Sequence, residues 1–159
     1  MSTNITEEAS KLRAAAASTV IQNSLDLEQL ARRHQKFNFS SNSSDELYEK
    51  ELKIILHVRE KTETLIQELI QGTQSVCSAV TASSASSLNI LDKITIVIQS
   101  LDKANGTLSE VQDDFTAFRE VSGLQNQKVA LESIHRKIGN IIVHCRTITD
   151  QLQALLFGR

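Results

Sequence analysis

The sequence predicts an all-α chain: antiparallel N-terminal helices followed by a long C-terminal coiled-coil helix. Three observations predict it. The 159 residues contain no Pro, no Trp and only five Gly, so little interrupts a helix: Pro removes a backbone donor and clashes, and Gly raises the entropy cost of ordering. Aromatic residues make up 4% of the chain, and the apolar content is mostly Leu, Ile, Val and Ala, which suits helix seams better than a core of large rings. Finally, Leu124, Gln127, Leu131, Ile134, Ile138, Ile141, Cys145, Ile148, Leu152 and Leu155 follow one another in alternating steps of three and four. Such a heptad line sustained this long is the pattern of a coiled coil.

The elements follow in chain order. Asn4 or Thr6 can cap a first helix, with Glu7 and Glu8 in its opening turn, where carboxylates meet the positive dipole end. Ile5, Ala9, Leu12, Ala16, Val20, Leu27 and Leu30 form its apolar stripe, and Arg32, Arg33, His34 and Lys36 sit at its negative end. A phosphate-binding basic patch is the competing reading of those four residues. The segment Phe37–Ser44 reads as a loop, and Ser43 with Glu46 has the spacing of a capping box.

A second helix then carries Ile55, Val58, Leu65, Leu69, Val76 and Ala79 on one face, widened by Ile54, Ile66 and Ile70. Thr81–Ser87 is a composition shift, read as a loop in preference to a frayed weak point. Ser87 can cap a third helix, which Ile90, Leu91, Ile94, Val97, Ile98 and Leu101 make apolar around much of its circumference. Asn105-Gly106 ordinarily marks a turn. The line Leu101, Ala104, Leu108, Val111, Phe115, Phe118, Ser122 nevertheless passes through it in phase, so the helix either continues with a weak spot or restarts. At Ser122-Gly123 the register jumps, which marks a kink or a rewound supercoil. The expected organisation is a three-helix region over residues 1–100 and a coiled-coil helix over 101–159, with the last helix the longest.

Within the last seam Gln127 alone is polar. An amide there is costly unless it meets a polar partner, and its usual value is to fix register and partner choice. A tolerated polar residue in a bundle core is the plainer reading. Cys77 and Cys145 lie on apolar faces far apart in sequence, and read as buried reduced thiols rather than a disulfide.

Composition and spacing exclude most chemistry. The net charge is −2 with both signs interspersed, which argues against nucleic acid as a partner. His34, His57, His135 and His144 do not fall at metal-ligand spacing with carboxylates or cysteines, and His144 and Cys145 point about 100° apart on a helix. There is no Gly-rich phosphate loop and no nucleophile motif. No enzyme, cofactor, metal or small-molecule substrate is expected. The uncharged run Leu69–Leu91 is too rich in Ser, Thr and Gln to span a bilayer, so the chain is expected to be soluble and cytoplasmic. From Lys128 onward the charges lean basic: Lys128, Arg136, Lys137, Arg146 and Arg159 against Glu132 and Asp150. A solvated outer face is the preferred reading, ahead of a helix working near an anionic membrane.

The stretch LQNQKVALESIHRKIGNI, Leu124 to Ile141, resembles the C-terminal half of a Q-SNARE motif, most of all the Qb group of membrin-type Golgi SNAREs. Leu124, Gln127, Lys128, Leu131, His135, Arg136, Lys137 and Ile138 carry the likeness. The resemblance implies that Gln127 is the central polar-layer glutamine and that Leu131 to Leu155 are the apolar layers after it. It implies an antiparallel three-helix domain ahead of the motif, a place at the cytosolic face of an endomembrane, and vesicle transport as the process. The partners implied are other coiled-coil helices in a hetero-oligomer, which Gln127 holds in register. On that reading Gln127→Leu leaves helix content intact and relaxes partner or register choice. The alternatives are a non-enzymatic subunit of a cytosolic coiled-coil complex, of organelle-positioning, tethering or kinetochore type, and a self-contained helical bundle.

Overall fold

The computed structural model describes residues 2–36, 45–83 and 88–157. They form four helices: α1 (Ser2–Lys36), α2 (Asp45–Ser83), α3 (Leu88–Phe118) and α4 (Leu124–Phe157). No strand occurs among the described residues, and the all-α class stands. The helices run 35, 39, 31 and 34 residues, rods of about 50 Å. The last helix is therefore not the long one. All four are of similar length.

Successive helices run antiparallel. Along α1 and α2, Asn23 lies against Gly72 and Arg33 against His57, so rising numbers on one meet falling numbers on the other. The same holds for α1 and α4, where Arg13 meets Leu156 and His34 meets His135. On α2 and α3, Glu63 bonds Gln112 and Arg59 lies over Phe115. The result is an up-down-up-down bundle. In cross-section it is a rhombus: α2 and α4 approach across the short diagonal, whereas α1 and α3 make no close backbone approach.

Hydrophobic periodicity explains which faces turn inward. On α2 the stripe Ile55, Val58, Leu65, Leu69, Val76 and Ala79 is buried, with Ile66, while Ile54 turns outward instead of widening the face. On α1, Ala16, Val20, Leu27 and Leu30 are buried and Leu12 is exposed. On α3 the line Ala104, Leu108, Val111, Phe115 and Phe118 is buried. Among the described side chains of its apolar N-terminal half only Val97 is fully covered, and Leu91 and Ile98 are left exposed.

Several local expectations change. Helix α1 begins at Ser2, so Asn4 and Thr6 lie inside it rather than capping it. Helix α2 runs on through Thr81–Ser83. The rest of that loop reading, like the loop Phe37–Ser44 and the caps assigned to Ser43 and Ser87, lies outside the described residues. Asn105-Gly106 is helical, because the seam on either side stays in phase and burying it outweighs about 1 kcal/mol of poor glycine propensity. Helix α3 therefore crosses the expected boundary at residue 100, and that boundary marks no structural division. The break comes at 119–123, where the chain turns back: Glu120 and Val121 donate to the carbonyls of Ala117 and Phe118 at 3.0 and 3.1 Å. Gly123 takes φ +92°, a left-handed conformation that a side chain disfavours. The register jump at Ser122-Gly123 is thus a reversal between two helices, not a kink within one.

Candidate interaction seam

The line read as a partner-binding edge is the centre of the bundle. Leu131, Ile134, Ile138, Ile141, Cys145, Ile148 and Leu152 are all fully buried, and Leu155 nearly so. Helix α4 packs on α1, α2 and α3 alike, and needs no second chain to cover its apolar face in this state. In this closed state the seam's own covering helices stand where partner helices would. The additional burial of Ile142, Thr149 and Leu156 shows an inward face wider than a two-stranded seam needs.

Of the first two seam members, Gln127 stands outside this core. The side chain of Leu124 is outside the described residues. Gln127 is half-buried, and its amide nitrogen donates to the Val121 carbonyl at 3.2 Å while its backbone N–H donates to Gly123 at 3.0 Å. Its amide therefore closes the α3–α4 turn rather than forming a layer among core side chains. Gln127→Leu removes one such bond and is expected to lower stability by about 1 kcal/mol with unchanged helix content; urea unfolding followed by circular dichroism measures both.

Polar groups inside the bundle are mostly satisfied locally. The hydroxyls of Thr62, Thr73 and Thr149 donate to the carbonyls one turn back at 2.7, 2.7 and 2.8 Å, which lets threonine sit in a core. Burial pushes the Cys145 thiol up to about 12 and raises Cys77 as well, so neither is tuned as a nucleophile. They form no disulfide.

Between helices, polar clusters act as fasteners. Arg13 reaches from α1 to the Leu156 carbonyl, its Nε at 2.9 Å, placing a cation at the negative end of α4. Lys137 of α4 pairs with Asp114 of α3 at 2.6 Å; partly exposed, that pair contributes at most about 1 kcal/mol. Asp26 and Glu68 meet across α1 and α2 beside a cavity of about 120 Å³. Burial, then the hydrogen bond and charge of Asp26, raise the Glu68 carboxyl to about 7.

His34 and His135 stack between α1 and α4. Sequence spacing did not reveal this pair, because the two are far apart along the chain and neither sits at ligand spacing. The available signal was phase: His34 continues the stripe Leu27, Leu30, and His135 lies between Leu131 and Ile138. Among the described residues no group of three or more His, Cys, Asp or Glu side chains could hold a metal. No helix among them is long and apolar enough to cross a membrane.

The seam is thus the inward face of one helix of an antiparallel four-helix bundle. No protein-family model, curated protein or solved structure matches the chain.

Proposed function

We propose that this chain is a non-enzymatic helical protein-interaction module whose bundle is the closed form of an assembling helix. One observation carries the reading: α4 presents an unbroken heptad line, Leu131 to Leu155, wide enough to be covered by three helices at once. A helix of that kind accepts any neighbours that bury it, since apolar burial is non-directional. Partner helices can therefore replace α1 to α3 at little net change in buried area. In the SNARE-like form suggested by the resemblance of Leu124–Ile141, α4 joins three partner helices at the cytosolic face of an endomembrane and serves vesicle fusion. Gln127, lying outside the core in the closed form, then swings from the Val121 carbonyl into a polar layer.

A second reading is favoured by the outer surface. Leu91 and Ile98 on α3, and Ile21 and Leu25 on α1, are exposed in the closed bundle. A subunit of a cytosolic coiled-coil complex keeps its bundle shut and docks through such residues. Hydrogen exchange of the full chain, alone and mixed with coiled-coil helices of the SNARE class, separates the two. Helix exchange predicts that complex formation strips protection from α1 while α4 keeps it. Complex formation with α1 fully protected overturns exchange in favour of docking, and no complex with any such helix counts against the SNARE-like form.

A further inference from the structure

The inner stripe of α1 runs Ala16, Val20, Asn23, Leu27 and Leu30, in alternating steps of four and three. Periodicity assigns each of these positions to an apolar side chain. Asn23 is the exception, and it is only 2% exposed. Its amide sits where α1 meets α2, in a notch opened by Gly72: a Cβ on that glycine would stand 2.8 Å from Asn23 Nδ2. Nδ2 is closed off from solvent and has no hydrogen-bond partner. The buried threonines are placed differently. Thr62, Thr73 and Thr149 each donate to a carbonyl of their own helix. Among the described residues, Arg59 Nε and Gln151 Oε1 are buried and unpartnered too, but on side chains that are only half-buried.

A buried donor without an acceptor has given up its bond to water and gained nothing in return. The closed bundle carries that cost at α1. When α1 lifts away, water bonds the amide again, whereas an apolar residue at this position would resist the same opening. The rest of the α1 stripe adds to the imbalance. Ala16, Val20 and Ala31 are small, while the inward face of α4 is built from Leu131, Ile134, Ile138 and Ile141. Apolar stabilisation scales with the area removed from water, so α4 is held the more firmly of the two. Towards its ends α1 has polar fasteners: Arg13 holds the Leu156 carbonyl, and His34 bonds the His135 carbonyl at 2.9 Å. Between them Asn23 sets an unpaired amide in the middle of the helix.

We propose that Asn23 is a built-in weak point that keeps α1 releasable: its amide, buried without a partner while α1 is shut, regains water when α1 lifts, so α1 parts from the bundle before α4 loses its core. The weak point stands by itself. That α1 then makes way for a partner helix rests on the function proposed above. In that setting Asn23 sets how readily the seam is uncovered, because a partner's apparent affinity is reduced by the fraction of chains that remain shut.

Hydrogen exchange of the full chain tests this first without any variant: amides of residues 16–30 should exchange through an opening that leaves those of 131–155 closed. Two variants then read Asn23 itself. Valine has about the helix propensity of asparagine and reaches less far towards Gly72, and leucine matches asparagine in side-chain heavy atoms. At least one of Asn23→Val and Asn23→Leu is expected to raise protection of residues 16–30 about tenfold, narrowing the gap to α4. Thr73→Val, at a hydroxyl already satisfied within its own helix, should leave that gap as it is. Equal protection of α1 and α4 in the parent, or unchanged or lower α1 protection in both Asn23 variants, overturns the weak point. A gap narrowed as much by Thr73→Val overturns it as well. Coiled-coil helices of the SNARE class give the second readout: affinity should fall by the factor by which α1 protection rises. Firmer α1 with unchanged affinity supports the weak point and overturns exchange through α1. No complex with the parent counts against the SNARE-like form, and the weak point is then decided by hydrogen exchange.

Discussion

Ile138→Ala should lower the unfolding free energy by about 2–5 kcal/mol, whereas Val143→Ala on the same helix should change it by less than about 0.5 kcal/mol. Ile138 is 0% exposed at the centre of the bundle and Val143 is 60% exposed. Deleting buried methyls loses their transfer free energy and leaves a cavity that α1, α2 and α3 can only partly collapse into. Urea denaturation of the isolated chain measures both: the Ile138 variant shifts the midpoint with little change in slope, as for a loss confined to the folded state. The comparison also tests where the seam is covered. Were Ile138 waiting for a partner chain, both variants would be nearly silent in isolation, and the closed bundle would be wrong.

Two glycine substitutions are expected to act with opposite signs. Gly106 and Gly72 both lie inside helices, so alanine at either gains about 1 kcal/mol of intrinsic propensity. At Gly106 a Cβ meets nothing within 4 Å, and the gain is realised. At Gly72 the Cβ would stand 2.8 Å from Asn23 Nδ2 and 3.4 Å from Thr19 Cγ2, where α1 and α2 come together. Asn23 is only 2% exposed, so its amide has little room to retreat. Overpacking of this kind costs about 1–3 kcal/mol, and Gly72→Ala should come out neutral to destabilising. Thermal melts should show Gly106→Ala above the parent and Gly72→Ala at or below it. Asn23→Ala added to Gly72→Ala should recover the loss by removing the obstructing amide. A Gly72→Ala melt raised as far as that of Gly106→Ala would contradict the close α1–α2 approach.

Much of this fold could be read from residue order. The absence of Pro and the apolar stripes gave four helices, and the stripes on α2 and α4 identified most of the buried side chains there, missing Val80, Ile142, Leu156 and three threonines. The misses share a physical cause. Asn105-Gly106 is a strong local turn signal, overridden because Ala104 and Leu108 on either side are buried in phase. Leu91 and Ile98 look like core residues by type, but α3 has too few neighbours at that end to cover its whole circumference. Gln127 looked like a core amide by position in the heptad, yet the chain reversal at Gly123 put the Val121 carbonyl within its reach.

Periodicity along the chain fixed which face of α4 must leave water, and did so without reference to any neighbour, because burial of apolar surface has no direction and no preferred partner. Which helices do the burying was decided only in three dimensions. The short reversal after Phe118 and the matched helix lengths bring α1, α2 and α3 around α4, and with them the pairing of His34 with His135 and of Asp26 with Glu68. Contacts between residues so distant in sequence leave no periodic trace, and only the packed bundle could reveal them.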